Sequence, residues 1–261
     1  MRRTTRTKVN RVVLYVVLAA ILLVLGAVAD WSAIKENFFD TTVIKSLFPE
    51  IVTVAAKNTI IYTAIAFVGG LVFALLLALM KLSPVAPYRW LATGYIEFFR
   101  GLPALVVIIA FGFAVPIAFN WRPPGGTIGA GIIALIIVSA AYMAETIRAG
   151  IQAVPKGQTE AARSLGMTGA WTTTSVILPQ AFRIIIPPLT NELVILIKDT
   201  SLLFVIGAAA NQRELTTFAR DSMSSTQNSS PLLAAAVLYL IITLPLTRLV
   251  ARLERRTQKA R

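Results

Sequence analysis

Seven ionisable side chains sit inside apolar stretches of this chain: Glu97, Arg100, Glu145, Arg148, Glu192, Lys198 and Asp199. A charge at the centre of a membrane helix costs about 2.5–3.5 kcal/mol on insertion scales, so such groups are candidates for function. Their spacing suggests the chemistry. Glu97 with Arg100, and Glu145 with Arg148, are three apart, and each pair is placed to neutralise itself on one helix face. Glu192 and Asp199 are seven apart, two turns along one face, with Lys198 beside Asp199. A zwitterionic solute needs an anion and a cation as partners, and this group supplies both. Asn191, Thr200 and Ser201 add hydrogen-bonding capacity. The candidate substrate pathway is therefore Glu192, Lys198, Asp199, Asn191, Thr200 and Ser201. Arg100 and Glu97 join it where Gly101 and Pro103 weaken a helix.

Much other chemistry is excluded. The chain has no cysteine and no histidine, so disulfides, thiol nucleophiles, imidazole acid–base catalysis and zinc sites are ruled out, and no metal site is expected. No Gly-x-x-x-x-Gly-Lys-Ser/Thr phosphate loop occurs, so the chain is not expected to be an enzyme or to hold a nucleotide. The net charge of +13 fits lysine and arginine retained on one side of a membrane, not nucleic-acid binding.

Membrane helices must hold these groups. Hydrophobic residues make up 56% of the 261-residue chain and charged residues only 14%, with mean hydropathy +0.74. Soluble domains carry about 25% charged residues. Apolar spans are predicted at 12–29, 51–80, 91–119 (interrupted at Gly101-Leu102-Pro103), 127–148, 187–209 and 231–250. The first follows Arg2, Arg3, Arg6, Lys8 and Arg11; at 18 residues it is long for a signal-peptide core and reads as a retained helix. Pro179 and Pro187-Pro188 are expected to interrupt the region before the fifth span. With the N-terminus in the cytoplasm, segments 1–11, 81–90, 148–172 and 248–261 hold 16 Lys and Arg, against 5 in 30–50, 120–126 and 211–230. That asymmetry predicts both termini inside. The apolar segments lack the alternation a membrane barrel needs. The fold class is thus all-α: a polytopic membrane helix bundle of six transmembrane helices, N-in and C-in.

The 151–172 loop then faces the cytoplasm. Thr159 is placed to cap a helix opening at Glu160, whose carboxylate suits the positive helix start. Ala161, Ala162, Arg163, Ser164 and Leu165 continue it, and Gly166 is placed to end it in the left-handed conformation. Such a helix, expected near 159–166, offers a small-residue surface and one apolar knob, Leu165, to a soluble partner.

The spacing Glu160-Ala161-Ala162, Gly166, then Ile177-Leu178-Pro179 resembles the coupling loop of bacterial ABC-importer permeases. Ala141-Tyr142-Met143-Ala144-Glu145, Val154-Pro155-Lys156-Gly157-Gln158, Leu178-Pro179-Gln180-Ala181 and Lys198-Asp199-Thr200-Ser201-Leu202 resemble its polar amino acid branch. So does Glu97-Phe98-Phe99-Arg100-Gly101-Leu102-Pro103, with Leu102 where that branch usually has Thr. The segment Ala208 to Arg213 looks longer than usual. The likeness covers about 51–256. It implies a five-helix core with an additional N-terminal helix. It divides the chain into an N-terminal part (1–50), a permease domain (51–252) and a basic tail (253–261). It implies a pore for a polar amino acid and coupling through Glu160, Ala161, Ala162, Arg163, Leu165 and Gly166. The implied partners are two ATPase subunits carrying ATP and Mg, a second permease copy or homologue, an extracytoplasmic solute-binding protein and membrane lipid. From the residues alone, an ion-coupled secondary transporter using Glu192, Lys198 and Asp199, or a non-transporting membrane scaffold, are the alternatives.

Overall fold

A computed structural model describes residues 3–259, with side chains described for Arg11 and from 13 to 255. The terminal basic residues Arg2, Arg3, Arg6, Lys8, Arg256, Lys259 and Arg261 therefore fall outside the described side chains. Among the described residues the regular structure is helical, without strands. In order the helices are α1 (Arg3–Val28), α2 (Trp31–Phe38), α3 (Thr41–Ser46), α4 (Lys57–Leu82), α5 (Ala86–Gly101), α6 (Ala104–Ile109) and α7 (Val115–Phe119). They continue with α8 (Gly126–Gln152), α9 (Lys156–Ser164), α10 (Gly169–Thr172), α11 (Leu178–Asp199), α12 (Leu215–Thr226) and α13 (Ser230–Lys259). Wider π turns lead into α4, join α6 to α7 and lead into α11.

Among the described residues, three stretches are long and apolar enough to cross a membrane: Ile51–Leu82, Gly126–Gln152 and Ser230–Arg255. Two bent pairs add to them. Val13–Val28 and Trp31–Ser46 meet at 74°, and Ala86–Gly101 and Ala104–Phe119 at 102°. The predicted 91–119 span is thus two helices turning sharply at Leu102-Pro103. Proline lacks the N–H that would continue α5, and its preceding residue is driven to extended backbone, Leu102 having ψ 140.

The predicted fifth span needs correction. Its helix starts at Leu178, not near 187, and passes through Pro187 and Pro188. Pro179 sits in its first turn, where a missing N–H leaves no intrahelical bond unmade. The two interior prolines are absorbed, as membrane helices permit when neighbours re-satisfy the freed carbonyls. The helix then tightens into a 3-10 stretch, Thr200–Ile206, that stops at Gly207.

α8 is the central element: 67% of its apolar stretch is buried, against 33% for the α4 stretch and 17% for α13. Lipid tails are as apolar as leucine, so close packing of small residues holds membrane helices together. α4 and α8 run parallel and meet through Gly70, Ala74, Ala140 and Ala144. A Cβ on Gly70 would meet Ser139 Oγ at 2.3 Å and Met143 Cε at 2.7 Å.

The opposite end is tied by polar groups. Asn58 Nδ2 donates to the carbonyls of Asn211 (2.9 Å) and Arg213 (3.0 Å), and the Tyr62 hydroxyl donates to Gln212 O (2.9 Å). α2 is pinned to the turn before α13: Asn228 Nδ2 donates to Glu36 O and Ser229 N to Asn37 O, both at 2.8 Å. α1, by contrast, exposes its apolar side chains from 13 to 25.

Candidate functional site

The bundle carries two regions with chemistry to offer, a cavity between α8 and α11 and the exposed helix α9. The cavity holds about 250 Å3. α8 supplies Ser139 and Tyr142 to its wall, α11 supplies Glu192 and Asp199, and Ala104 closes it from the start of α6. Two residues seven apart on a helix share a face, so the sequence spacing carries both carboxylates into one wall. Neither forms an ion pair among the described residues. Arg100 stands at the break between α5 and α6. Its guanidinium lies over the Tyr142 ring, 5.6 Å from the centroid, and the Tyr142 hydroxyl donates to Arg100 O at 3.3 Å.

The other candidates are placed elsewhere. Lys198 is exposed and does not line the cavity; one residue of offset turns it about 100° from Asp199. Asn191 is exposed, Ser201 is partly buried, and Thr200 is buried with its hydroxyl donating to Ile197 O at 2.6 Å. Glu97 is exposed and does not pair with Arg100, because Arg100 turns to Tyr142 instead. The spaced pair Glu145–Arg148 does form, and it recruits a residue that sequence spacing did not offer. Lys81 Nζ of α4 lies 3.1 Å from Glu145 Oε2, while Arg148 Nε donates to the same oxygen at 2.9 Å and Arg148 Nη2 bonds Oε1. Arg148 Nη1 also bonds Gln152 Oε1. No group of three or more acids able to hold a metal ion occurs among the described residues.

α9 begins four residues earlier than expected. Pro155, with φ −57 and ψ 134, launches it at Lys156, so Thr159 lies inside the helix and Glu160 in its second turn. Glu160 is therefore beyond the reach of the positive helix start. The end matches the glycine signal. Gly166 has φ +82; its N–H bonds Arg163 O (3.0 Å) and Met167 N–H bonds Ala162 O (3.1 Å), a Schellman closure. Ala162 is buried against the bundle, whereas Glu160, Ala161, Arg163 and Gly166 are exposed and Leu165 is 84% exposed. Val154, just before α9, is buried with Ile177, Ala181 and Ile185, and Gln180 Nε2 donates to Gln158 Oε1 at 3.2 Å. The helix is thus gripped at its base and open on its outer face.

A further buried acid escaped the sequence reading. Glu214, assigned to a polar outer loop, is fully buried. It caps α12, accepting from Thr217 N and Thr217 Oγ1 (both 2.6 Å), Thr216 N (2.7 Å) and the Tyr239 hydroxyl (3.0 Å). Burial pushes its carboxyl above the ordinary glutamate value, against the pull of these donors. Its N-cap position before Leu-Thr-Thr was the available signal.

A helical bundle with a mainly apolar cavity that carries two carboxylates, and with a projecting two-turn helix, defines a transport-type membrane subunit. Residues 70–259 match the family model described as "Binding-protein-dependent transport system inner membrane component". The chain belongs to that family and is a multi-pass bacterial inner-membrane protein. It is 38% identical over 205 residues to the probable glutamine ABC transporter permease protein GlnM of Bacillus subtilis (strain 168), covering 78% of this chain and 91% of that protein. It is 37% identical over 220 residues to the glutamine transport system permease protein GlnP of Escherichia coli (strain K12), covering 84% and 97%. Among solved structures, a chain of an amino acid ABC transporter crystallised with histidines aligns with TM-score 0.75 and 38% identity, covering 83% of this chain and 98% of that one.

Proposed function

We propose that this chain is the translocation subunit of an ATP-driven importer of polar amino acids and that α9 is its coupling helix. The observation that carries the coupling role is α9 itself: anchored by Ala162 and open at Glu160, Arg163 and Leu165. Two ATPase subunits would each grip one such helix, hydrolysing ATP that this chain does not handle. A second permease copy or homologue would complete the pore, and an extracytoplasmic binding protein would deliver the solute. Both termini and α9 then lie in the cytoplasm, as the distribution of Lys and Arg favours.

Closure of the ATPase pair would displace α9. Val154 and the Gln158–Gln180 contact would pass that displacement to α8 and α11, whose relative position sets the shape of the cavity. In the cavity, Glu192 and Asp199 would take the solute's ammonium and Arg100 its carboxylate. A volume of about 250 Å3 suits a single small metabolite, lying below the ~300–1,000 Å3 of drug-sized pockets.

The test is reconstitution into vesicles with the ATPase subunits and binding protein. Gly166→Val forces a β-branched residue into a left-handed backbone, and Glu160→Lys reverses a charge on the open face. Both are expected to lower ATP-dependent uptake about tenfold or more while membrane insertion survives. Unchanged uptake in both would refute the docking role; uptake driven by an ion gradient alone would favour a secondary transporter.

A further inference from the structure

α4 lies one step removed from α9. The chain runs directly from α8 into α9, Gln158–Gln180 links α9 to α11, and α4 joins this assembly through its packing on α8 and, less extensively, on α11. Around Gly69 and Gly70 that packing seats the side chains of Ile136, Ser139 and Met143 of α8 against α4 backbone. Small-residue contacts of this kind bring two membrane helices close by van der Waals packing. Eleven residues further along α4, at the end nearest α9, the contact changes kind. Lys81 Nζ reaches 3.1 Å from Glu145 Oε2. Glu145 is held in place by Arg148, which is in turn bonded to Gln152, the last residue of α8. The lysine and glutamate side chains are 18% and 20% exposed, so solvent screens the pair only partly.

We infer that Lys81 is a positioning residue of the transport cycle: through Glu145 it locks α4 to α8, so that both move as one body when α9 is displaced. The inference rests on the proposed coupling role of α9. An ion pair across two helices adds to the packing above it a polar constraint on their axial register at the end nearest α9. Arg148 preorganises the acceptor by fixing the Glu145 rotamer from its own helix. Without Lys81, a push on α9 would be spent partly as slippage between α4 and α8, and the ATPase would turn over without moving the cavity wall.

The experiment measures solute uptake and ATP hydrolysis together, with radiolabelled glutamine, glutamate and arginine as probes, on the complete importer in vesicles. Lys81→Met keeps the aliphatic stem and removes the charge. Lys81→Met and Glu145→Gln are expected to lower solute carried per ATP hydrolysed by roughly fivefold, a population shift within reach of one interhelical ion pair. Arg148→Met leaves Lys81–Glu145 standing and is expected to keep the ratio within about twofold. The transposed pair, Lys81→Glu with Glu145→Lys, should recover most of the loss. A structural role alone would lower yield and thermal stability but leave the ratio unmoved. The proposal is overturned if Lys81→Met keeps the wild-type ratio, if Arg148→Met loses as much as Lys81→Met, or if transposition recovers nothing. Should Lys81→Met fail to assemble, the transposed pair decides alone. Absence of ATP-dependent uptake by the wild-type complex would instead defeat the importer reading itself.

Discussion

Glu145 and the pair Glu192–Asp199 are acids in apolar helices, yet their surroundings differ. Glu145 is saturated: Lys81 arrives from α4 and Arg148 from its own helix, and both carboxylate oxygens are engaged. Glu192 and Asp199 share a cavity wall with no ion pair of their own among the described residues, and Arg100 stands off at the α5–α6 break. A neutralised acid has little left to give a solute and serves as a mechanical joint. An acid left open in a cavity keeps its affinity for a visiting cation. The two regions divide the labour of a transporter between moving and holding.

The largest effect is expected where the open acids are neutralised. Glu192→Gln and Asp199→Asn keep side-chain volume and remove charge. Each should lower ATP-dependent uptake by about 10- to 100-fold, the loss of one charge-assisted hydrogen bond to the solute. Thermal stability and association with the ATPase subunits should stay near wild type. Uptake assays with purified complexes check this. Wild-type uptake in both variants would erase the contrast with Glu145.

A second substitution probes the joint from the other side. The Lys81–Glu145 contact depends on how closely α4 approaches α8, and Gly70 sets that distance. Gly70→Leu must displace Ser139 Oγ and Met143 Cε, which a Cβ alone would already meet at 2.3 and 2.7 Å. Such overpacking should cost about 1–3 kcal/mol, read as a lower thermal unfolding midpoint in detergent. It should also reproduce part of the Lys81→Met coupling defect. Normal coupling in a destabilised Gly70→Leu protein would show that helix spacing and the ionic joint are independent.

How much of this was readable beforehand divides along physical lines. Local signals held: Gly166 takes a positive φ because the helix must end there, and Glu192 and Asp199 share a face because seven residues make two turns. The helical class followed from composition together with long apolar runs that lack alternation. What failed depended on tertiary partners. Lys81 lies 64 residues from Glu145, and no helical periodicity connects them. Lys198 looked like a cavity residue by adjacency, but a helix turns neighbours away from each other. Pro187 and Pro188 read as breakers, yet the membrane bundle carries the helix straight through them. Pro155, not Thr159, stands at the N-cap of α9, which opens at Lys156 without a side-chain cap bond.

Glu214 offers a third way to hold an acid and the smallest expected effect. It has no cation partner; four donors from Thr216, Thr217 and Tyr239 satisfy it. Burial lifts its carboxyl above the ordinary value of 4.5. Between that value and the raised one, the folded chain binds more protons at this site than the unfolded chain does. Stability therefore falls as pH rises through that window. Glu214→Gln removes the titration. The amide also leaves one backbone N–H facing its own NH2 group, which costs about 1–3 kcal/mol. The variant's deficit should then be largest near the ordinary glutamate value and narrow as pH rises through the raised one, since only the wild type weakens across that window. Thermal midpoints of both proteins in detergent over that interval check the slope. A constant gap would mean that hydrogen bonding alone has cancelled the effect of burial, and that Glu214 is ionised throughout.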